Sequence, residues 1–235
     1  MRILAFESSA KSASAAVLQD EVLLGEYYQN SGQTHSRTLM QMAVDLLNNC
    51  DLTVEDVDAV AVASGPGSFT GVRIGVAAAK GFAWGRELPC YGISTLEAMA
   101  ACCASFGPLI CPVMDARRSQ VYNALFRGGE VLSRLTEDRA ISLQELGEEL
   151  KKYSGQKILV GDGALLCYNS LKDSVPELVL APEHLRMQRA SGVALLAKKR
   201  ADEGTPADAA SLVPNYLRLS QAERERKARE DRLNT

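Results

Sequence analysis

The chain has 235 residues, 46% of them hydrophobic and 23% charged, with a formal net charge of -3 and a pI near 5.6. That length can bury a substantial core as one large domain or two small ones. The acidic balance argues against the clustered positive field of a free-standing nucleic-acid binder, so any RNA contact is expected to need a basic partner.

Strands are expected near 2–8, 13–19 and 21–28, from alternation and β-branched or apolar runs, followed by a helix over about 35–50. The opening MRILAFESS has one positive residue and too short an apolar run for a signal peptide. No later segment reaches the uncharged length of a membrane span, so a cytoplasmic protein is expected. In the first helix, Leu39, Met42, Ala43 and Leu46 form one stripe, and Met40, Val44 and Leu47 form a second beside it. Together they cover about 200°, roughly twice what a helix on a single core needs. One stripe can face its own sheet while the other meets a partner; alternatively, a neighbouring domain covers both.

Residues 57–64 read as a buried strand and 68–84 as a helix ended by Gly85. Between them lies SGPGSFTGVRIG, residues 64–75. It is not a Walker loop, because Val72 and Arg73 stand where Lys and Ser/Thr belong, and it is not a dinucleotide fingerprint. Free amides at a helix N-terminus leave weak anion binding open. The spacing favours another role: Gly67, Gly71 and Gly75 recur every fourth residue, so they form a ridge almost without side chains against which a second helix can pack closely. Each glycine costs roughly 1 kcal/mol of helix propensity against alanine, which suggests a packing return.

A strand at 88–93 and the capping signal Ser94-Thr95-Leu96-Glu97 complete a β-β-β-α-β-α-β-α order. The second half restarts with an apolar strand, 109–114, and Asp115. A carboxylate ends the strand in both Phe6-Glu7 and Met114-Asp115, and a Glu-Val-Leu segment follows each (21–23 and 130–132). This suggests duplication of one domain, against the alternative of two unrelated hairpins. Helices are expected at 142–153 and 191–203 and a strand at 157–160. The charged stretch 221–235 reads as a solvated helix face or frayed end rather than a tRNA-binding arm.

Chemistry-bearing residues are sparse. The two histidines, His35 and His184, form no His-x-x-x-His pair, so no metal site is expected, and no local Ser-His-Asp or Cys-His constellation appears. The six cysteines lie mostly in apolar runs without a Cys-x-x-Cys pair and are expected to be reduced core residues. Glu7 and Asp115 are the best-placed carboxylates for a phosphate–metal site between two lobes, though either can equally cap its hairpin.

The duplicated pattern resembles the actin-like (ASKHA, ribonuclease H-like) fold of actin and sugar kinases. Within it, SGPGSFTGVRIG, His35-Ser36-Arg37-Thr38-Leu39, Asp115-Ala116-Arg117-Arg118-Ser119-Gln120-Val121-Tyr122 and Pro214-Asn215-Tyr216-Leu217-Arg218 resemble the TsaB (YeaZ) family over nearly the whole chain. The resemblance implies an α/β protein of two lobes, each a mixed five-stranded sheet flanked by helices, the second reduced. Residues 1–105 would form the first lobe with the dimerisation helices. Residues 106–235 would form the second, with a C-terminal helix expected to pack back on the first.

The implied function is that of a non-catalytic scaffold subunit in bacterial synthesis of N6-threonylcarbamoyladenosine in tRNA, inactive alone. It would pair with and activate the catalytic paralogue TsaD and meet the ATPase TsaE and tRNA through the complex, with a homodimer left open for the isolated chain. The implied interface is His35, Leu39, Met42, Ala43 and Leu46 on the first helix with Phe69, Gly71, Val72, Gly75 and Ala79 on the second. Glu7 stands where the fold usually has Asp, and Ser8-Ser9-Ala10 is not glycine-rich. No tightly bound cofactor is therefore expected, and at most weak nucleotide binding at Glu7 and Asp115. The alternatives are an actin-like small-molecule kinase or an ATP-binding homodimeric regulator.

Overall fold

The computed structural model describes residues 1–205 and 207–218; the tail at 221–235 lies outside them. The first repeat runs β1 (Arg2–Glu7), β2 (Ala13–Gln19), β3 (Val22–Gln29), α1 (His35–Asn49), β4 (Ala59–Gly65), α2 (Phe69–Trp84), β5 (Cys90–Ser94) and α3 (Thr95–Cys103), in the order expected. Its sheet is ordered β3-β2-β1-β4-β5. β1 pairs antiparallel with β2 and parallel with β4. Side-chain caps start two helices: Ser68 Oγ accepts from the Gly71 amide, and Ser94 Oγ accepts from the Glu97 amide at 3.2 Å.

The second repeat runs β6 (Leu109–Asp115), β7 (Gln120–Asn123), β8 (Phe126–Arg127), β9 (Ser133–Arg134), β10 (Arg139–Ser142), α4 (Leu143–Leu150), β11 (Lys157–Val160), α5 (Ala164–Leu171), β12 (Leu178–Leu180), α6 (Glu183–Arg186) and α7 (Ala190–Asp202). The path β10-β7-β6-β11-β12 repeats the order and strand senses of the first sheet. Two short strands lie off this path, β8 pairing antiparallel with the start of the central strand β6 and β9 pairing with β8, so this sheet has seven strands where five were expected. The apparent match at Glu130-Val131-Leu132 is corrected, because these residues lie in the loop between β8 and β9 and the true counterpart of β3 is β10. The reduction is plain in the helices: α4 has 8 residues where α1 has 15, and α5 has 8 where α2 has 16.

The two repeats share their packing. α1 and α2 cover one face of the first sheet with Leu39, Ala43, Leu46, Val72, Val76 and Ala79. α7 covers its other face, where alanines at 5, 16, 59, 61 and 63 meet Ala190, Ala194 and Ala197; small side chains on both sides let helix and sheet approach closely. α3 touches β4 and β5 but also β6 and β11 of the second sheet, and it packs along α7. The start of α7 is held by the first repeat. Ser14 Oγ accepts from the Ala190 amide at 2.8 Å, and the Glu26 carboxylate accepts from the Ser191 amide at 3.0 Å and from Arg189 at 2.7 Å. A carboxylate at a helix N-terminus satisfies free amides and complements the dipole.

Candidate functional site

Between the lobes lies a cleft of about 480 Å³, walled by the β1–β2 turn, the start of α2, the β6–β7 turn, Asp162 and the segment Asn215–Arg218. Asp115 is exposed there, and its Oδ1 accepts from the Arg117 amide at 2.7 Å. Arg117, Arg118 and Ser119 all have positive φ, which turns the loop sharply and sets Arg117 on the rim. Lys11 lines the opposite wall. Ser9 also lines the cleft, fully buried, with no hydrogen-bond partner for its Oγ.

Glu7 is placed differently from the expectation that paired it with Asp115 across the cleft. It is fully buried beneath the β1–β2 turn; Oε1 accepts from the Ser9 amide at 2.6 Å, and Oε2 has no partner. The nearer carboxylate is Asp162, just beyond β11, which accepts from Gln188 Nε2 at 2.9 Å. Asp162 and Gln188 escaped the sequence reading. The signal for Asp162 was there, since Gly161-Asp162-Gly163 follows β11 as Gly65-Pro66-Gly67 ends β4. Among the described residues, no three His, Cys, Asp or Glu side chains gather to hold a metal ion.

Burial pushes the Glu7 carboxyl up to about 7, and the Asp162 charge adds to the rise. The sign follows from linkage. A carboxyl whose folded value lies above its unfolded one holds more protons when folded, so stability is greatest below the unfolded value and falls as pH climbs from about 4.5 to 7. At 1.36 kcal/mol per unit, ionising Glu7 costs about 3 kcal/mol. Glu7→Gln should therefore be more stable than the parent at pH 8 and nearly equal to it at pH 4.5, as read by urea unfolding at both values. Equal stability at pH 8 would place Glu7 in a better-solvated site.

The face of α1 and α2 away from the sheet is the second candidate. Of the residues expected at a partner interface, Leu39, Met42, Ala43, Leu46, Gly71, Val72, Gly75 and Ala79 are buried within their own lobe. The glycine ridge is closed from inside: a Cβ at Gly71 would strike the Ser8 carbonyl oxygen, and one at Gly75 would sit 2.7 Å from Ser8 Oγ. The β1–β2 turn, not a second helix, fills the groove. Phe69 and His35 are half-buried, and His35 Nε2 donates to the Ala10 carbonyl at 2.7 Å. What the helices turn outward is Met40 and Val44 on α1, with Thr70, Arg73, Ala77, Gly81 and Trp84 on α2. Trp84 is 74% exposed at the C-terminal end of α2. The second α1 stripe divides, because Leu47 is buried while Met40 and Val44 are not.

Of the cysteines, Cys90, Cys103, Cys111 and Cys167 are buried, Cys50 and Cys102 are half-buried, and all six are free thiols. Burial pushes the Cys102 and Cys167 thiols up to about 12, which makes them inert at neutral pH.

Two β-β-β-α-β-α repeats with matched strand order, closing on a cleft lined by their hairpin turns, define an actin-like, two-lobed protein of the ASKHA class. The solved structure described as YeaZ from Pseudomonas aeruginosa shares this fold, with a TM-score of 0.78 at 23% identity over 92% of this chain and 99% of that one. The model of the family described as TsaD: tRNA N6-adenosine threonylcarbamoyltransferase matches residues 28–226. The tRNA threonylcarbamoyladenosine biosynthesis protein TsaB of Bacillus subtilis is 35% identical, over 95% of this chain and 96% of its own length. That of Escherichia coli is 30% identical over 94% and 96%. The chain belongs to the TsaB (YeaZ) family of tRNA threonylcarbamoyladenosine biosynthesis proteins, within the wider TsaD family.

Proposed function

We propose that this chain is a non-catalytic scaffold that pairs with a TsaD-like paralogue through the outward face of α1 and α2 and activates it. The observation that carries this reading is the exposure of three large apolar side chains, Met40 and Val44 on α1 and Trp84 on α2, on adjacent helices of a TsaB-family fold. A TsaE-like ATPase and tRNA meet the chain only within that complex, in the cytoplasm, and the isolated chain pairs with a second copy. The mixed charge of the cleft suits no tight cofactor. Burial of Glu7 away from the cleft and the lack of glycine in Ser8-Ser9-Ala10 favour at most weak nucleotide binding.

The test is reconstitution of adenosine modification on tRNA with TsaC-, TsaD- and TsaE-like proteins, with and without this chain. Modification should fall to background without it, and the chain alone should transfer nothing. Full modification in its absence would overturn the scaffold role. Turnover of ATP onto a small acceptor by the isolated chain would support a kinase instead.

A further inference from the structure

Arg73 stands in the outward stripe of α2, one turn after Phe69 and on the same side of the helix as Trp84. An exposed arginine is ordinarily mobile, because its long stem has many rotamers to lose. Arg73 is held at three points. Its guanidinium carbon lies 3.7 Å from the centroid of the Phe69 ring and 5.7 Å from that of Tyr216, and Nε donates to the Tyr216 hydroxyl at 2.7 Å. Tyr216 in turn stacks on Phe69, with 4.8 Å between ring centroids. Among the described residues, the Nε bond is the one hydrogen bond of this side chain, and no carboxylate pairs with it. The two Nη groups, the fork that grips a carboxylate through parallel bonds, are left open.

The motif Pro214-Asn215-Tyr216-Leu217-Arg218 fixes Tyr216 from both sides. The Asn215 amide donates to the Ser64 carbonyl at 2.7 Å, and Arg218 donates to the Ala116 carbonyl at 2.6 Å. Gly65 makes room for the first contact: its φ is +121°, and a Cβ there would strike the Asn215 carbonyl oxygen. Lys80, the other cation of α2, is spent inside the chain, since Nζ donates to the carbonyls of Ala210 and Leu212 at 3.1 Å each. Arg73 is therefore the cation that α2 offers outward.

A guanidinium already immobilised loses little further freedom when it is bound, so its contact contributes more to affinity than that of a mobile side chain. What it lacks is an anionic acceptor. A nucleic-acid backbone asks for several cations together, whereas a single guanidinium here shares its side of the chain with exposed Met40, Val44 and Trp84, and the net charge is -3. That setting fits a carboxylate on a protein surface. Resting on the pairing set out above, we infer that Arg73 is a specificity-determining contact of the partner face, set in advance by Tyr216 and Phe69 to receive a carboxylate of the TsaD-like paralogue. Tyr216 and Phe69 are positioning residues that act through it.

Association of the full-length chain with the TsaD-like paralogue is titrated calorimetrically at about 0.1 M and 1 M salt, between which the screening length falls from about 10 to 3 Å. Arginine is among the residues that reach hot-spot size at interfaces, so Arg73→Gln should weaken association about 30-fold at low salt and flatten its salt dependence. Arg73→Lys keeps the charge without the planar fork and should recover only part of that loss. Tyr216→Phe keeps the stack and loses the hydrogen bond to Nε. It should cost about threefold, and that cost should vanish in an Arg73→Gln background, as the coupling of two residues in contact requires. Undiminished pairing in Arg73→Gln overturns the inference. Trp84→Ala then separates two cases: if it still weakens pairing, the partner face stands without Arg73, and if it does not, the face lies elsewhere. An equal cost of Tyr216→Phe with and without Arg73 also overturns it. So does unchanged pairing with weaker retention of tRNA by the complex, which would give the guanidinium to a phosphate.

Discussion

Gly71→Leu is expected to lower the melting temperature of the isolated chain sharply. The Cβ alone would occupy the position of the Ser8 carbonyl oxygen, and the opposing atom is backbone, which cannot rotate away as a side chain can. The same oxygen belongs to the turn whose Ser8 hydroxyl donates to the Gly71 carbonyl at 2.9 Å and whose Ser9 carbonyl accepts from the Ser68 amide at 2.6 Å. A substitution at Gly71 therefore separates α2 from the β1–β2 turn and disturbs three contacts together. Overpacking of this kind costs about 3 kcal/mol, and at roughly 2–4 °C per kcal/mol for a chain of this size the expected fall is about 6–12 °C. Gly81→Ala on the exposed side of the same helix meets nothing within 4 Å and should raise stability by up to about 1 kcal/mol. Differential scanning calorimetry of the two variants beside the parent decides the matter. Lost partner binding at unchanged melting temperature in Gly71→Leu would restore the ridge to the outer surface.

Trp84→Ala and Val44→Asp should weaken association with the TsaD-like partner while leaving the chain folded. Tryptophan side chains that become buried at interfaces commonly carry at least 2 kcal/mol, which at 1.4 kcal/mol per tenfold is a loss of about 30-fold or more in affinity. Neither residue contributes much to the monomer, since Trp84 is 74% and Val44 47% exposed, and surface changes of this kind move stability by about 0.5 kcal/mol or less. Met42→Asp provides the contrast. Met42 is 9% exposed and part of the core under α1, so a carboxylate there should lower the melting temperature instead. Light scattering with size exclusion reads pairing and calorimetry reads stability. Undiminished pairing in both Trp84→Ala and Val44→Asp would move the partner surface off these helices.

Much of the fold is legible in the residues. The apolar runs at 59–65 and 109–115, the caps at Ser68, Ser94 and Ser142, and the four-residue stripe Leu39, Met42, Ala43, Leu46 each depend on neighbours within a few positions, so local pattern determines them. The duplication is equally legible, because each repeat opens on an apolar strand closed by a carboxylate. Short elements are not: β8, β9 and β12 span 2, 2 and 3 residues, too few to show a period, and they exist because the neighbouring strand supplies their hydrogen bonds.

Three matters belong to the tertiary structure alone. Which side of α2 is the inner one depends on the β1–β2 turn, some sixty residues away in sequence, and a glycine ridge reads the same whether a turn or a partner fills it. Burial raises the Glu7 carboxyl and the Asp162 charge adds to it, and neither the full burial nor the approach of Asp162 is recorded by its sequence neighbours. The segment Pro214–Arg218 is recognisable as a motif. That it lies against Ser64, Phe69, Arg73 and Ala116 follows only from the path of the chain after α7, since contacts across more than a hundred residues are made by packing and leave no periodic trace.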